Sequence, residues 1–433
     1  MPFKSNGHTV HSFFTGQSTL PGKIIASSST VVHFLHLEPF SDANGPASSS
    51  SVHQTTGSSP KAESSSTRRK VPVVLYDFDG TLIKTSSGKR FPSGREDWAW
   101  WHPSVPGKLR AEHEAGKHLV VISNQGDKRP NVRAEWRAKL PLVAAKLPAG
   151  VPLRILAALD KDKYRKPRTG LYDILDQVYR DHGLEIDIER SLFVGDAAGR
   201  LGGVKGQFRD HADTDLKFAL NIGVPFLTPE EYFLGDPRPV YPMPPNGFRP
   251  AKVGSLVPPV VPSHTPIARD DLEIVLFVGS PASGKTSFFR KHFSPRYRHI
   301  NQDTLKSRDK CLLEAERSLT KGESIVVADN TNRNRATRSH WVNLAVKHSV
   351  PIRFFHFVCP VDLARHNNVY RACYGPSDEP VRQFLPDTAF TSYAADSEAP
   401  VVDEGFDEVR VVNFIFSGTP EQRSKWDLWL LDK

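Results

Sequence analysis

The chain reads as an α/β protein of two doubly wound parallel-sheet domains. Three observations predict this. Val73-Val-Leu-Tyr-Asp-Phe-Asp-Gly-Thr-Leu-Ile83 drives a short apolar run into a carboxylate-rich turn, the pattern of a strand buried on both faces. Leu272-Glu-Ile-Val-Leu-Phe-Val278 does the same before the glycine-rich stretch Gly279-Ser-Pro-Ala-Ser-Gly-Lys-Thr286. Between them lies a proline-dense segment, with Pro242, Pro244-Pro245 and Pro258-Pro259, where neither helix nor central strand is expected.

The chain divides accordingly. Residues 1–70 are rich in Ser, Thr, Gly and His, so they are expected to be a disordered low-complexity tail, of which residues 1–68 are dispensable for the activities of both domains. Residues 71–235 alternate strand and helix. His118–Ile122, Ile155–Leu159 and Ser191–Val194 supply further strands, with helices near 104–116 and 169–182. Residues 236–268 are expected to form an extended linker, and 269–433 a second β-α series.

A chain of 433 residues with 38% hydrophobic and 24% charged content has the composition of a globular protein. Its net charge of +9 favours phosphate-rich partners. Cys311, Cys359 and Cys373 form no even framework, which suits a reducing compartment. No apolar stretch is long enough to span a bilayer, so no membrane role is expected.

In the first domain, Asp77 would end its strand where open α/β sheets place ligands. It can attack phosphorus while Asp79 protonates the leaving oxygen and later activates water. Ser123 can donate to a phosphoryl oxygen, Lys166 can neutralise developing charge, and Asp196 can complete an oxygen-rich Mg²⁺ site with Asp77 and Asp79. DxDGT after an apolar strand, followed by these residues in this order, resembles the haloacid-dehalogenase-type phosphohydrolases. About forty residues separate Asp79 from Ser123 and Ser123 from Lys166, which leaves little for a large cap and suits a polymer end. Lys89-Arg90, Lys128-Arg129 and the 161–168 segment KDKYRKPR could track a nucleic-acid backbone.

In the second domain, G-x-x-x-x-G-K-[ST] between strand and helix is a phosphate-binding loop. Gly279, Ser283, Gly284, Lys285, Thr286 and Ser287 would cradle the phosphates of ATP, with Thr286 on Mg²⁺. Asp303 can accept a hydroxyl proton, Asp329 ends a strand in Walker-B style, and Arg365 lies on a candidate lid helix, 361–374.

DFDGTLI, SGKRFPSGREDW, VVISNQ, YRKPRTGLYD, FVGDAAGR, FALNIGVPFLTPEEYF, the phosphate loop, NQDTL, VVADNTN and ARHNN together resemble the bifunctional polynucleotide kinase 3′-phosphatases of DNA repair. The resemblance implies a haloacid-dehalogenase-like 3′-phosphatase followed by a P-loop 5′-kinase. It implies DNA with 3′-phosphate or 5′-hydroxyl ends as partner, Mg²⁺ and ATP, a monomer, and a nuclear location, with a mitochondrial fraction as the alternative. It casts Asp215 as a supporting site acid, Arg365 as a phosphate-contacting lid residue and Arg338 as a DNA contact. Two departures stand out. The first 70 residues leave no room for a forkhead-associated module, so scaffold partners of that kind are not expected. Gln302 stands where arginine often precedes the kinase aspartate. A fused small-metabolite kinase and phosphatase, or a DNA-end-binding adaptor, are the competing readings; the short intervals and intact carboxylates count against them.

Overall fold

The structure is a computed structural model, and it describes residues 20–40, 68–203, 209–250, 258–328, 331–376 and 382–432. The chain separates into two compact units, Met1–Pro245 and Asn246–Lys433.

The first unit is built on a seven-stranded sheet. Its order is Lys23–Ser27, Val31–His36, Leu153–Ala158, His118–Asn124, Val73–Tyr76, Leu192–Val194 and Phe226–Leu227. The last five run parallel. Alternation along Val73–Tyr76 sends Val74 and Tyr76 into one core and Val73 and Leu75 into the other, which is why the run is apolar throughout. The order reverses at this strand, leaving Asp77 at the topological switch point.

The expected disordered tail needs correction. Lys23–Ser27 and Val31–His36 form an antiparallel hairpin, and the second strand pairs along the full length of Leu153–Ala158. Val32, Phe34 and Leu35 are buried in the unit. Averaged over 70 residues, serine and glycine conceal VVHFLH, a strand-length apolar run. The remaining tail, 1–19 and 41–67, lies outside the described residues.

The second unit carries a six-stranded sheet in the order Val260–Val261, Glu408–Asn413, Ile352–Val358, Ile274–Gly279, Ile325–Val327 and Arg298–Ile300. Val260–Val261 is antiparallel to its neighbour and the rest are parallel. The expected linker therefore also needs correction, because its later part belongs to this unit. Proline removes an N–H but keeps its carbonyl, and two buried arginines supply the missing donors. Arg410 donates to the carbonyls of Pro262 (2.6 Å), Thr265 (3.0 Å) and Pro266 (2.9 Å). Arg353 donates to that of Ile267 (2.9 Å) and is held by Glu273. At the other end of the segment, Tyr241 packs on Phe226 in the first unit.

Candidate phosphotransfer sites

Asp77 leaves the Val73–Tyr76 strand with its N–H donating to the Val194 carbonyl (2.8 Å), which fixes the backbone between neighbouring strands. Lys166 donates to its Oδ1 (2.7 Å) and to Asp215 Oδ1 (2.8 Å). Asn124 clamps the Lys166 backbone, accepting from its N–H (2.8 Å) and donating to its carbonyl (3.1 Å). Asp77, Asp196 and Asp215 each bring a carboxylate oxygen within 4.8 Å of the others. Three carboxylate oxygens at that spacing fit a hard divalent cation.

Asp215 is the residue that the expected metal set lacked. It sits in the first turn of helix Thr214–Ile222 and accepts the Ala197 N–H at 3.0 Å. A carboxylate there is favoured by the helix dipole. Close approach explains two glycines: a Cβ at Gly195 would lie 2.5 Å from Asp215 Oδ2, and one at Gly80 (φ +83°) would lie 2.4 Å from Asp196 Oδ2. Asp79 was expected among the metal ligands; its carboxylate lies outside this cluster, and its Oδ2 accepts from Gln125 Nε2 (2.7 Å). The same amide donates to Ser123 Oγ (3.0 Å), so Gln125 aligns two of the expected groups, a role that sequence reasoning missed. Arg200 was missed as well. It donates to the Asp196 carbonyl (3.0 Å) and pairs with Asp210 (2.8 Å) and Glu230 (2.9 Å), bracing the turn that carries Asp196.

Burial pushes the Asp77 carboxyl up to about 7, with Lys166 opposing and Asp215 adding to the rise. Burial also raises Asp196, and the charges of Asp77 and Asp215 add to it. For Lys166 burial works against the ammonium, but Asp215 and Asp77 outweigh it and hold the lysine above its ordinary value. The cluster carries more negative charge than its buried surroundings tolerate, a condition that a divalent cation relieves.

Lys128 and Arg129 are exposed and paired locally, with Asp160 and Asp127 respectively.

In the second unit the loop after Ile274–Gly279 turns through Ala282 and Gly284, both with positive φ, into helix Lys285–His292. Lys285 donates to the carbonyls of Gly279 (2.9 Å) and Ser280 (2.7 Å), and Ser283 is buried beside it. Thr286 is half-buried and Ser287 exposed. Asn367, on helix Val361–Tyr374, donates to the Ala282 carbonyl (3.1 Å), tying the expected lid helix to the loop. On that helix Arg365 pairs with Asp387 (2.6 Å) and Asp362 (3.2 Å). Asp303 is exposed on the short helix Gln302–Leu305, which Asn301 caps through the Thr304 N–H (3.1 Å). Asp329 lies outside the described residues.

Arg338 is the clear correction. Expected on DNA, it is 0% exposed. It makes a two-pronged pair with Glu404 (2.8 and 2.6 Å) and donates to the carbonyls of Asn332 (3.1 Å) and Glu398 (2.9 Å). Asn332 in turn donates to the Phe277 carbonyl (2.8 Å), and Gly279 N–H to the Thr331 carbonyl (3.2 Å). Arg338 thus braces the strand end beside the phosphate loop.

An aspartate–lysine–carboxylate cluster in one α/β unit and a phosphate loop in the other define a two-unit enzyme, a haloacid-dehalogenase-like phosphatase joined to a P-loop kinase. The comparisons agree. Residues 72–233 match the family model for polynucleotide kinase 3 phosphatase, and residues 274–386 match that for an AAA domain. The bifunctional polynucleotide phosphatase/kinase of Schizosaccharomyces pombe is 37% identical over 361 residues, 82% of this chain and 82% of that protein. A putative bifunctional polynucleotide phosphatase/kinase of Acanthamoeba polyphaga mimivirus is 30% identical, covering 82% of this chain and 88% of its own. The polynucleotide 3′-phosphatase ZDP of Arabidopsis thaliana is 34% identical over 176 residues, 37% of this chain and 24% of its own. The chain belongs to the bifunctional polynucleotide phosphatase/kinase family.

Proposed function

We propose that the chain restores ligatable termini at DNA strand breaks, removing 3′-phosphates in its first unit and phosphorylating 5′-hydroxyls with ATP in its second. The observation that carries this is the Asp77–Lys166–Asp215 cluster at a sheet switch point, in a chain that also holds a phosphate loop.

In the first unit Asp77 attacks phosphorus. The bond to the sugar 3′-oxygen breaks as Asp79 delivers its proton to that oxygen. Asp79 then takes a proton from the water that attacks the aspartyl-phosphate, which releases inorganic phosphate and restores Asp77. Ser123 and Lys166 stabilise the phosphoryl oxygens. Asp77, Asp196 and Asp215 would hold Mg²⁺, which when bound offsets the charge of the carboxylates and the phosphate. In the second unit Asp303 accepts the proton of a 5′-hydroxyl as that oxygen takes the γ-phosphoryl group, with ADP as leaving group. Lys285 exchanges its two loop carbonyls for β/γ oxygens, and Thr286 would hold Mg²⁺. Arg365, held by Asp387 and Asp362 on helix Val361–Tyr374, would swing from them to contact the transferred group. A monomer acting in the nucleus belongs to the same proposal.

The test is a nicked duplex bearing 3′-phosphate and 5′-hydroxyl, incubated with ATP and Mg²⁺, with both ends followed. Asp77→Asn is expected to lower 3′-phosphate release by several orders of magnitude and leave the kinase intact; Lys285→Ala should do the reverse. A folded protein that processes neither end refutes the proposal. Loss of both activities in a folded Asp77→Asn protein refutes the separation of the sites.

A further inference from the structure

Helix Pro130–Ala144 carries a buried lysine that none of these steps uses. Lys139 is 2% exposed. Among the described residues its ammonium has no hydrogen-bond or ion-pair partner; the carboxylates of Asp79 and Asp97 act on it electrostatically. Both carboxylates are engaged elsewhere. Asp79 Oδ2 accepts from Gln125, and Asp97 accepts from Ser86 Oγ (2.9 Å), from Ser87 N and Oγ (2.8 Å each) and from Ser93 N (2.8 Å). The rest of that helix face fixes the placement. Trp136, three residues back, meets the Phe78 ring edge-on at 6.4 Å, and Glu135, four back, accepts the Arg95 N–H at 2.9 Å. Residues at these spacings share a face, so Lys139 faces the catalytic turn and the 85–97 loop together.

The two lysines of the site differ in this respect. Lys166 is committed to Asp77 and Asp215, on the phosphoryl side. Lys139 is uncommitted and stands toward Asp79, the residue that protonates the leaving oxygen. In a 3′-phosphorylated polynucleotide the leaving group is a nucleotide that carries a phosphodiester of its own. A cation shielded from solvent acts over several ångströms with little screening, so it can attract that charge without touching it.

We propose that Lys139 is a specificity-determining residue of the phosphatase, attracting the phosphodiester of the leaving nucleotide and so favouring a polynucleotide 3′-phosphate over a lone nucleoside 3′-phosphate. This rests on the reading of Asp79 as the acid on the leaving-group side. A purely structural lysine, pinning the 85–97 loop, would affect both substrates alike.

The experiment compares wild type, Lys139→Met and Lys139→Arg on thymidine 3′-monophosphate and on a 3′-phosphorylated thymidine dinucleotide. Lys139→Met keeps an unbranched side chain one atom shorter and removes the charge, and its melting temperature is measured beside wild type. The expected result is a KM for the dinucleotide raised about tenfold or more, an unchanged KM for the monophosphate, kcat within about threefold for both, and the preference retained in Lys139→Arg. Equal losses on both substrates, or no change on either, overturn the proposal. Should Lys139→Met fold poorly, Lys139→Gln, which loses the charge but keeps a polar tip, is measured in the same way: the KM ratio of the two substrates must shift by about tenfold toward the monophosphate, and an unchanged ratio overturns the proposal. If the wild type releases phosphate from neither substrate, the 3′-phosphatase reading itself falls, a result distinguishable from a site that works without discriminating.

Discussion

Removing residues 1–68 should unfold the phosphatase unit, although that segment contains no catalytic residue. The deletion takes away the strand that pairs along Leu153–Ala158 and exposes the sheet edge it covers. It removes Val32, Phe34 and Leu35 from the interior. At about 1.5–3 kcal/mol for each fully buried side chain, those three contribute roughly 6 kcal/mol. Arg154, buried in the adjoining strand, loses His33 Nε2 (2.6 Å) and Glu38 (3.2 Å), and an orphaned buried donor costs about 1–3 kcal/mol more. The sum is comparable with the whole stability of a typical domain, about 5–15 kcal/mol. A chain lacking only residues 1–19 keeps the hairpin and should behave as the full-length protein. The assay is thermal melting of both truncations together with both enzymatic rates. The 20–433 chain should match full length, whereas 69–433 should lose its phosphatase and one melting transition while keeping kinase activity. If 69–433 retains both its melting profile and its phosphatase, the hairpin contributes little and the reasoning fails.

Two further predictions follow from buried charge. Arg338→Ala should cost about 3–5 kcal/mol through the abandoned Glu404, while Arg338→Met with Glu404→Leu recovers most of that loss; because Arg338 is interior, the salt dependence of DNA binding by the double variant should equal that of wild type, and a slope reduced by about one phosphate contact would return Arg338 to the DNA. His33 accepts from Arg154 in its neutral form, and burial, aided by the Arg154 charge, lowers its pKa to about 4 from the ordinary 6.5. The unfolded chain thus binds the proton first, so the contribution of His33 is present above about 6.5 and is lost as pH falls toward 4, at up to about 1.4 kcal/mol per pH unit. Melting temperatures at pH 7 and 5 should show a smaller drop in His33→Gln than in wild type, and an identical drop would remove His33 from the account.

What could be read from the sequence was the chemistry that sits on backbone turns. A strand running into Asp77 and another running into the phosphate loop each place their functional groups by local geometry, so the residue order alone located them. Ser123 and Lys166 followed because successive parallel strands present their ends side by side. Asp215 was harder. It enters the cluster from the start of a helix rather than a strand end, so the residue pattern alone does not mark it; the family resemblance named it a supporting acid, and the structure brings its carboxylate within 4.8 Å of those of Asp77 and Asp196. Gln125 and Arg200 carry no charge-pattern signal of their own, and their value lies in the two or three groups each one joins.

The errors share one physical origin, which is that composition describes what a segment tends to do when nothing covers it. Serine and glycine surround VVHFLH, yet the strand at Leu153–Ala158 offered an edge, and six apolar-rich residues sufficed to take it. The prolines of 258–268 suggest solvent-exposed chain, because their residues cannot complete a sheet ladder. Their carbonyls remain acceptors, however, and Arg410 (to Pro262 and Pro266) and Arg353 (to Pro266) satisfy them from the interior. Those arginines, like Arg338, look in sequence like the basic surface of a nucleic-acid-binding protein. Part of the positive charge is therefore spent inside the second unit, on carbonyls and on Glu273, Glu404 and Glu408. The count of arginines, more than the net charge, consequently overstates the cationic surface open to DNA, because each of these three is buried with a matching glutamate. The contribution of a given Arg or Lys to a nucleic-acid path depends on its exposure and partner, which is why exposed Lys128 and Arg129 remain candidates while Arg338 does not.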